Sequence, residues 1–236
     1  MSDWKVKRFW TSAQVEKLDD GFAVNLDGRP VKTPAKARLV APTETMAREI
    51  AQEWDAQEEV VNPATMPFTR SANAAIDKVS VQHAEVAGML AAYGDSDLLC
   101  YRADGPQSLV DRQAELWDPL LDWAERDLGA RLHPVVGVMH APQNDAALKT
   151  LSDQTHAFTA FELAAFHDLV GLSGSLILGF AAARDHMPVL DLWTLSRLDE
   201  LWQQEQWGVD EEAEETAKVK EAEFLHAKRF FDASQV

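Results

Sequence analysis

Two places in the chain hold residue types that could move a proton or bind a metal ion. His167 and Asp168 are adjacent, as a general base and its orienting carboxylate would be, and Asp95 and Asp97 in "GDSD" could ligate a divalent cation. Neither set is complete: no nucleophile stands near His167 in sequence, and a turn followed by a helix cap accounts for both aspartates without a metal. "GLSGS" at 171–175 has the outline of a nucleophile elbow, but its second glycine comes one place early and Ser175 stands where glycine is required. The segment also reads as the middle of a helix. The seven histidines, at 83, 133, 140, 156, 167, 186 and 226, include no pair three or four apart, and neither a G-x-G-x-x-G nor a G-x-x-x-x-G-K-[ST] loop is present. No cofactor and no metal are expected. The enzymatic reading left open is a cofactor-free or metal-dependent hydrolase using His167, Asp168 and the carboxylates at 95–97.

A different kind of signal comes from residues 199–215, "DELWQQEQWGVDEEAEE", where two tryptophans sit among carboxylates with no Lys or Arg. Taken as one helix at 100° per residue, Leu195, Leu198, Leu201 and Trp202 make a core-facing stripe, and Trp193, Glu200, Gln204 and Trp207 share the opposite side. That back face has two readings. It is a recognition surface, for which exposed Trp is well suited, or the next helix folds back and buries both tryptophans. Glu205 falls on the apolar side, where a carboxylate requires a partner or a route to water.

These residues need elements to hold them. The first forty residues read as extended segments, "QVEKL" and "FAVNL", punctuated by "DDG" and "DG", which predicts a small antiparallel sheet. Thr43 is a candidate N-cap for a helix carrying Met46, Ile50 and Trp54 and ending near Glu59; Trp54 fits the core or a contact face. Prolines at 63 and 67 then break regular structure, placing a boundary near residue 65. Nearly all the rest reads helical, with Pro119 a kink or a fresh first turn and Leu169–Ala183 a buried helix whose Gly171, Ser175 and Gly179 form a small-residue side. The expectation is an α+β chain: an N-terminal β-rich domain with one helix over 1–65 and a larger helical domain over 66–236.

Composition narrows the function classes. A net charge of -17, from 39 acidic and 22 basic residues, repels phosphate backbones and argues against nucleic acid. The longest uncharged run is 15 residues, too short for a bilayer span, so no membrane insertion is expected. The single cysteine, Cys100, rules out an intramolecular disulfide, fits a reducing compartment and reads as a small buried hydrophobe. "MSDWKVKRFW" lacks the features of a secretory or transit signal.

Seven stretches in order resemble one family, the assembly chaperones of the alpha subunit of the ATP synthase F(1) head: "KRFW" at 7–10, "LDGRPVKTPAK" at 26–36, "EWDAQ" at 53–57, "MPFTRSANAAID" at 66–77, "DLLCYRA" at 97–103, "WDPLLDWA" at 117–124 and "DELWQQEQWG" at 199–208. The resemblance implies a small β domain, a larger helical domain and a non-catalytic role holding the free alpha subunit until it pairs with beta. It also implies that the family's acidic residue before "WG" corresponds to Glu200. The partner face expected from it comprises Glu200, Trp193, Gln204 and Trp207, joined by Trp54, Arg70, Asn73 and Asp77. The start lacks a mitochondrial presequence, so a bacterial, cytoplasmic member is expected, monomeric when free; eukaryotic relatives would act in the mitochondrial matrix.

Overall fold

The computed structural model describes residues 7–235. The chain forms two compact units: one holds the residues up to His83 with Thr159–Ala165 and residues 229–235, the other Ala84–Phe158 and Phe166–Lys228. The helical segment after the prolines at 63 and 67 therefore belongs with the sheet.

In the first unit β1 (Ala13–Leu18) and β2 (Gly21–Leu26) pair antiparallel from Ala13↔Leu26 to Leu18↔Gly21, so Asp19 and Asp20 make a two-residue turn. A second tight turn leads to β3 (Arg29–Pro30), and its central residues, Asp27 at φ 46° and Gly28 at φ 80°, take the positive angles that a hairpin twisted this way demands. The carboxylate of Asp27 accepts from the amides of Thr11 and Ser12 at 2.8 and 3.1 Å, which holds its pKa below the usual carboxylate range. Both hairpins follow the Asp-Gly signals, and β4 (Val40–Ala41) completes the sheet against β2.

Thr43 caps α1 (Glu44–Asp55) by accepting from the Met46 amide at 3.1 Å, and Met46 and Ile50 are fully buried on the face that meets the sheet. This helix stops four residues before the expected Glu59. The buried Gln57 side chain donates to the Glu53 carbonyl at 3.0 Å and accepts from the Asn62 amide at 2.7 Å, folding the chain back where another turn would have run. α2 (Pro67–Ala74) begins at a proline, and the Glu53 carboxylate caps it through the amides of Phe68 and Thr69 at 2.6 and 2.8 Å. Phe68 and Phe230 pack at 5.6 Å and Phe161 and Phe230 at 6.2 Å, closing this core.

The second unit is built from α3 (His83–Ala91), α4 (Gln107–Trp123), α5 (Asp145–His156), α6 (Ala160–Ser173), α7 (Leu176–Ala183), α8 (Val189–Ser196), α9 (Leu198–Trp207) and α10 (Glu211–Ser234); α3, α6 and α10 also give residues to the first unit. β5 (Tyr101–Arg102) and β6 (Val135–Val136) form a short parallel pair, placing the extended piece expected at "HPVVGV". α4 runs through Pro119 unbroken, and the fully buried Trp117 donates its indole N–H to the Leu195 carbonyl at 3.0 Å.

Two helices expected to be continuous are broken. The run 169–183 divides at Gly174, which takes φ 70°, and Ser175, whose hydroxyl caps α7 by accepting from the Leu178 amide at 3.0 Å. "GLSGS" is therefore a helix break and cap, not the middle of a helix. The small-residue side fails with it: a Cβ on Gly179 would lie 2.6 Å from Val170 and 3.2 Å from Phe166, whereas Gly171 faces open space. α7 thus crosses close over α6 at Gly179. The second break separates α8 from α9 at Arg197.

Candidate functional site

The break at Arg197 decides what the tryptophan-carboxylate stretch presents, because a helical wheel holds only while the helix is continuous. Trp193, expected on the outer side, is only 5 % exposed and packs on Phe224 of α10 at 5.6 Å, with the Arg197 guanidinium 5.8 Å over its ring. Of the two readings of the back face, burial by the following helix describes Trp193. Trp207, at the far end of α9, is 76 % exposed and meets Trp202 edge-on at 5.9 Å. Glu200 is exposed and Gln204 half-buried.

Between α8, α9 and α10 lies a cleft of about 230 Å³ whose walls include Trp193, Arg197, Leu201, Gln204, Ala217 and Lys218. The sequence reading placed Trp193 and Gln204 here but missed Arg197, Leu201 and the α10 side, since nothing local announces which helix folds against α9. Glu205 finds its partner 93 positions away: Arg112 of α4 donates to both carboxylate oxygens, at 2.7 and 2.9 Å. That contact lowers the Glu205 pKa and raises that of Arg112. A neighbouring bond from Gln113 to Asp199, at 2.7 Å, also ties α4 to α9. The acidic run has a local cause as well. Asp210 accepts from the amides of Glu212 and Ala213 at 3.0 and 3.1 Å, and the glutamates behind it occupy the first turn of α10, where the helix dipole favours negative charge.

The remaining expected contacts lie in the first unit. Trp54 is half-buried, accepts the Trp10 indole N–H on its carbonyl at 3.2 Å, and has a buried Nε1 with no hydrogen-bond partner among the described residues. Asn73 has a buried Oδ1 with no hydrogen-bond partner among the described residues, and Arg70 is exposed. Asp77 accepts from the Thr33 hydroxyl at 2.6 Å and the Ala35 amide at 2.9 Å, so its carboxylate is occupied in fixing the loop before β4.

The groups of the hydrolase reading stand in structural roles. Asp97 is fully buried; its oxygens accept from the Leu99 amide at 3.0 Å, the Ser175 hydroxyl at 2.7 Å and the Ile177 amide at 3.0 Å, and burial pushes its pKa up to about 6. It is a double helix cap, as a turn-and-cap reading expects. Asp95 accepts from the Gln143 amide at 2.8 Å and meets the His140 ring at 3.3 Å. His167 pairs with Asp168 at 2.9 Å on a partly exposed face, and that hydrogen bond raises the histidine pKa. Among the described residues no group of three or more His, Cys, Asp or Glu side chains is placed to hold a metal ion, and no helix is long and apolar enough to cross a membrane.

Comparison with known proteins agrees with this architecture over its whole length. The structure of Atp12 from Paracoccus denitrificans superposes with a TM-score of 0.96 at 48 % identity, covering 99 % of this chain and 100 % of that one. Atu1473 from Agrobacterium tumefaciens superposes with a TM-score of 0.92 at 42 % identity, covering 97 % and 86 %. Protein atp12 of Schizosaccharomyces pombe, mitochondrial by its name, is 26 % identical over 221 residues, 89 % of this chain and 76 % of the relative. The profile described as ATP12 chaperone protein matches residues 7–125, half of the sequence. Its architecture and its sequence agree: the chain belongs to the ATP12 chaperone family, whose members are ATP synthase assembly factors.

Proposed function

We propose that this protein binds the free alpha subunit of the ATP synthase F(1) sector and keeps it from aggregating until it pairs with beta, doing so without catalysis. The observation that carries the reading is family membership together with a fold match that leaves 1 % of this chain and none of the Paracoccus chain uncovered. A subunit destined for a ring carries apolar faces that become buried only on assembly, and until then they promote aggregation. A stoichiometric binder covering one such face needs no nucleotide, because the correct neighbour displaces it by competing for the same surface. The hydrolase reading loses ground because Asp97 is a structural cap and His167 bonds to no nucleophile among the described residues.

The contact residues follow from exposure. In the second unit Glu200 and Trp207 meet the client directly, with Gln204 and Trp193 lining the adjoining cleft. In the first unit Arg70 is the exposed contact, while Trp54, Asn73 and Asp77 shape its surroundings. We assign the protein to the bacterial cytoplasm, as a monomer when free.

The test is capture of separately expressed alpha and beta subunits from the same organism, comparing wild type with Glu200→Lys and Trp207→Ala, each checked for fold by circular dichroism. Selective capture of alpha, weakened in both variants, is the expected result. Capture of neither subunit sinks the reading, and capture of alpha unaffected by the variants removes α9 from the contact face.

A further inference from the structure

Within a chain of net charge -17, one stretch reverses the balance: residues 28–43 hold Arg29, Lys32, Lys36 and Arg38 and no acidic residue. All four are exposed. Lys32 and Arg38 face each other across a bridge, and the turn between them closes through bonds from the Thr33 amide to the Ala37 carbonyl and from the Lys36 amide to the Thr33 carbonyl, both 2.9 Å. Lys36 sits at φ 73°, a left-handed conformation that costs a non-glycine residue energy and that the surrounding bonds maintain. Asp77 fixes the turn from beneath through Thr33 and Ala35. The charges are thus displayed on a preset frame.

Nearby carboxylates are already engaged. Glu16 accepts from Arg38 at 2.8 Å, Asp27 from the Thr11 and Ser12 amides, and Asp77 from the loop itself. Arg29, Lys32 and Lys36 have no ion-pair partner among the described residues. Beside them Phe9 is 58 % exposed, with the Arg29 guanidinium 5.5 Å from its ring, adding an apolar anchor to the charges.

We propose that the loop bearing Arg29, Lys32 and Lys36, with Phe9 at its side, docks an acidic segment of the client protein. The proposal rests on the chaperone reading above and states what the client must present. Charge complementarity selects this occupant: an acidic peptide bearing an apolar residue matches three cations without an ion-pair partner among the described residues and one exposed ring, whereas a polyphosphate has no apolar group to set against Phe9.

The test compares wild type with two triple variants of equal net charge: Arg29→Gln/Lys32→Gln/Lys36→Gln in the loop, and Arg48→Gln/Arg126→Gln/Lys149→Gln elsewhere. All are checked by thermal melting. Purified alpha subunit should bind the loop variant about tenfold more weakly than the other two at low salt, with the gap closing as salt rises. Equal binding by both variants overturns the proposal and leaves the chaperone reading intact. Should wild type capture no alpha subunit, that reading fails, and a labelled decaglutamate peptide decides the loop on its own. Salt-sensitive binding lost only in the loop variant supports the proposal; no binding overturns it. Preference for an oligonucleotide of equal charge, or self-association of wild type that vanishes in the loop variant, also overturns it.

Discussion

Removing the Asp97 carboxylate tests the packing of the second unit most directly. Asp97→Ala leaves three buried donors, the Leu99 and Ile177 amides and the Ser175 hydroxyl, without their acceptor. At about 1–3 kcal/mol for each orphaned group, reduced by local relaxation, the expected loss is roughly 4 kcal/mol. Asp97→Asn keeps one oxygen but turns an amide toward a backbone N–H, for a loss of about 1–3 kcal/mol. The pH dependence has a defined sign. Burial raises the Asp97 pKa to about 6, so the folded state prefers the protonated form; that contribution is complete below about pH 4 and is lost as pH rises through 6. Between pH 5.5 and 7.5 the advantage of wild type over Asp97→Asn should therefore shrink by about 1 kcal/mol. Urea unfolding followed by tryptophan fluorescence and far-ultraviolet dichroism at those two pH values measures it. An Asp97→Ala loss below about 1 kcal/mol would refute the cap, and an advantage that widens with pH would show that the three hydrogen bonds outweigh desolvation.

Other consequences follow from single residues. Cys100 is buried and its thiol is pushed up to about 12, so a thiol reagent at pH 8 should leave the native protein untouched and label it only on unfolding. Gly179→Ala forces a methyl against Val170 and Phe166 and should cost about 1–3 kcal/mol, while Gly171→Ala meets open space and should be neutral or stabilise by up to about 1 kcal/mol; paired denaturant curves separate the two. Trp207→Ala removes an exposed ring and should leave the unfolding midpoint within experimental scatter while weakening alpha capture; a marked loss of stability would mean that the ring is structural.

How much of this was legible depends on the range of the cause. The hairpins were visible because Asp27 and Gly28 make their own turn, and α1 was visible because Thr43 caps it three residues away. The break at Gly174 and Ser175 was written in the sequence as a glycine followed by a capping serine, but the uninterrupted apolar run outweighed it. The break at Arg197 had no comparable signal: Ser196 and Arg197 are acceptable helix residues. A wheel drawn across it still grouped Trp193 with Gln204, and the two line one cleft; what it could not show is that Phe224 of α10 packs on the Trp193 ring. The Glu205 partner lay 93 residues off and was named only as a need.

The stretches that carry the family likeness have largely internal work. Arg8 of "KRFW" donates to the carbonyls of Asp55 and Gln57 in "EWDAQ", and Trp10 to that of Trp54. "LDGRPVKTPAK" meets "MPFTRSANAAID" where Thr33 and Ala35 bind Asp77. Arg102 of "DLLCYRA" pairs with Asp118 of "WDPLLDWA" at 2.8 Å and lies over Trp117. Asp199 and Glu205 of "DELWQQEQWG" hold α4. Subtracting the side chains occupied in this way leaves, among the charged and aromatic residues of the same stretches, Lys7, Phe9, Arg29, Lys32, Lys36, Arg70, Glu200 and Trp207, all exposed and none in an ion pair among the described residues. A likeness explained by scaffold needs no partner. These eight are the exposed charged and aromatic residues that no ion pair holds to the scaffold, and they are where a partner should be sought.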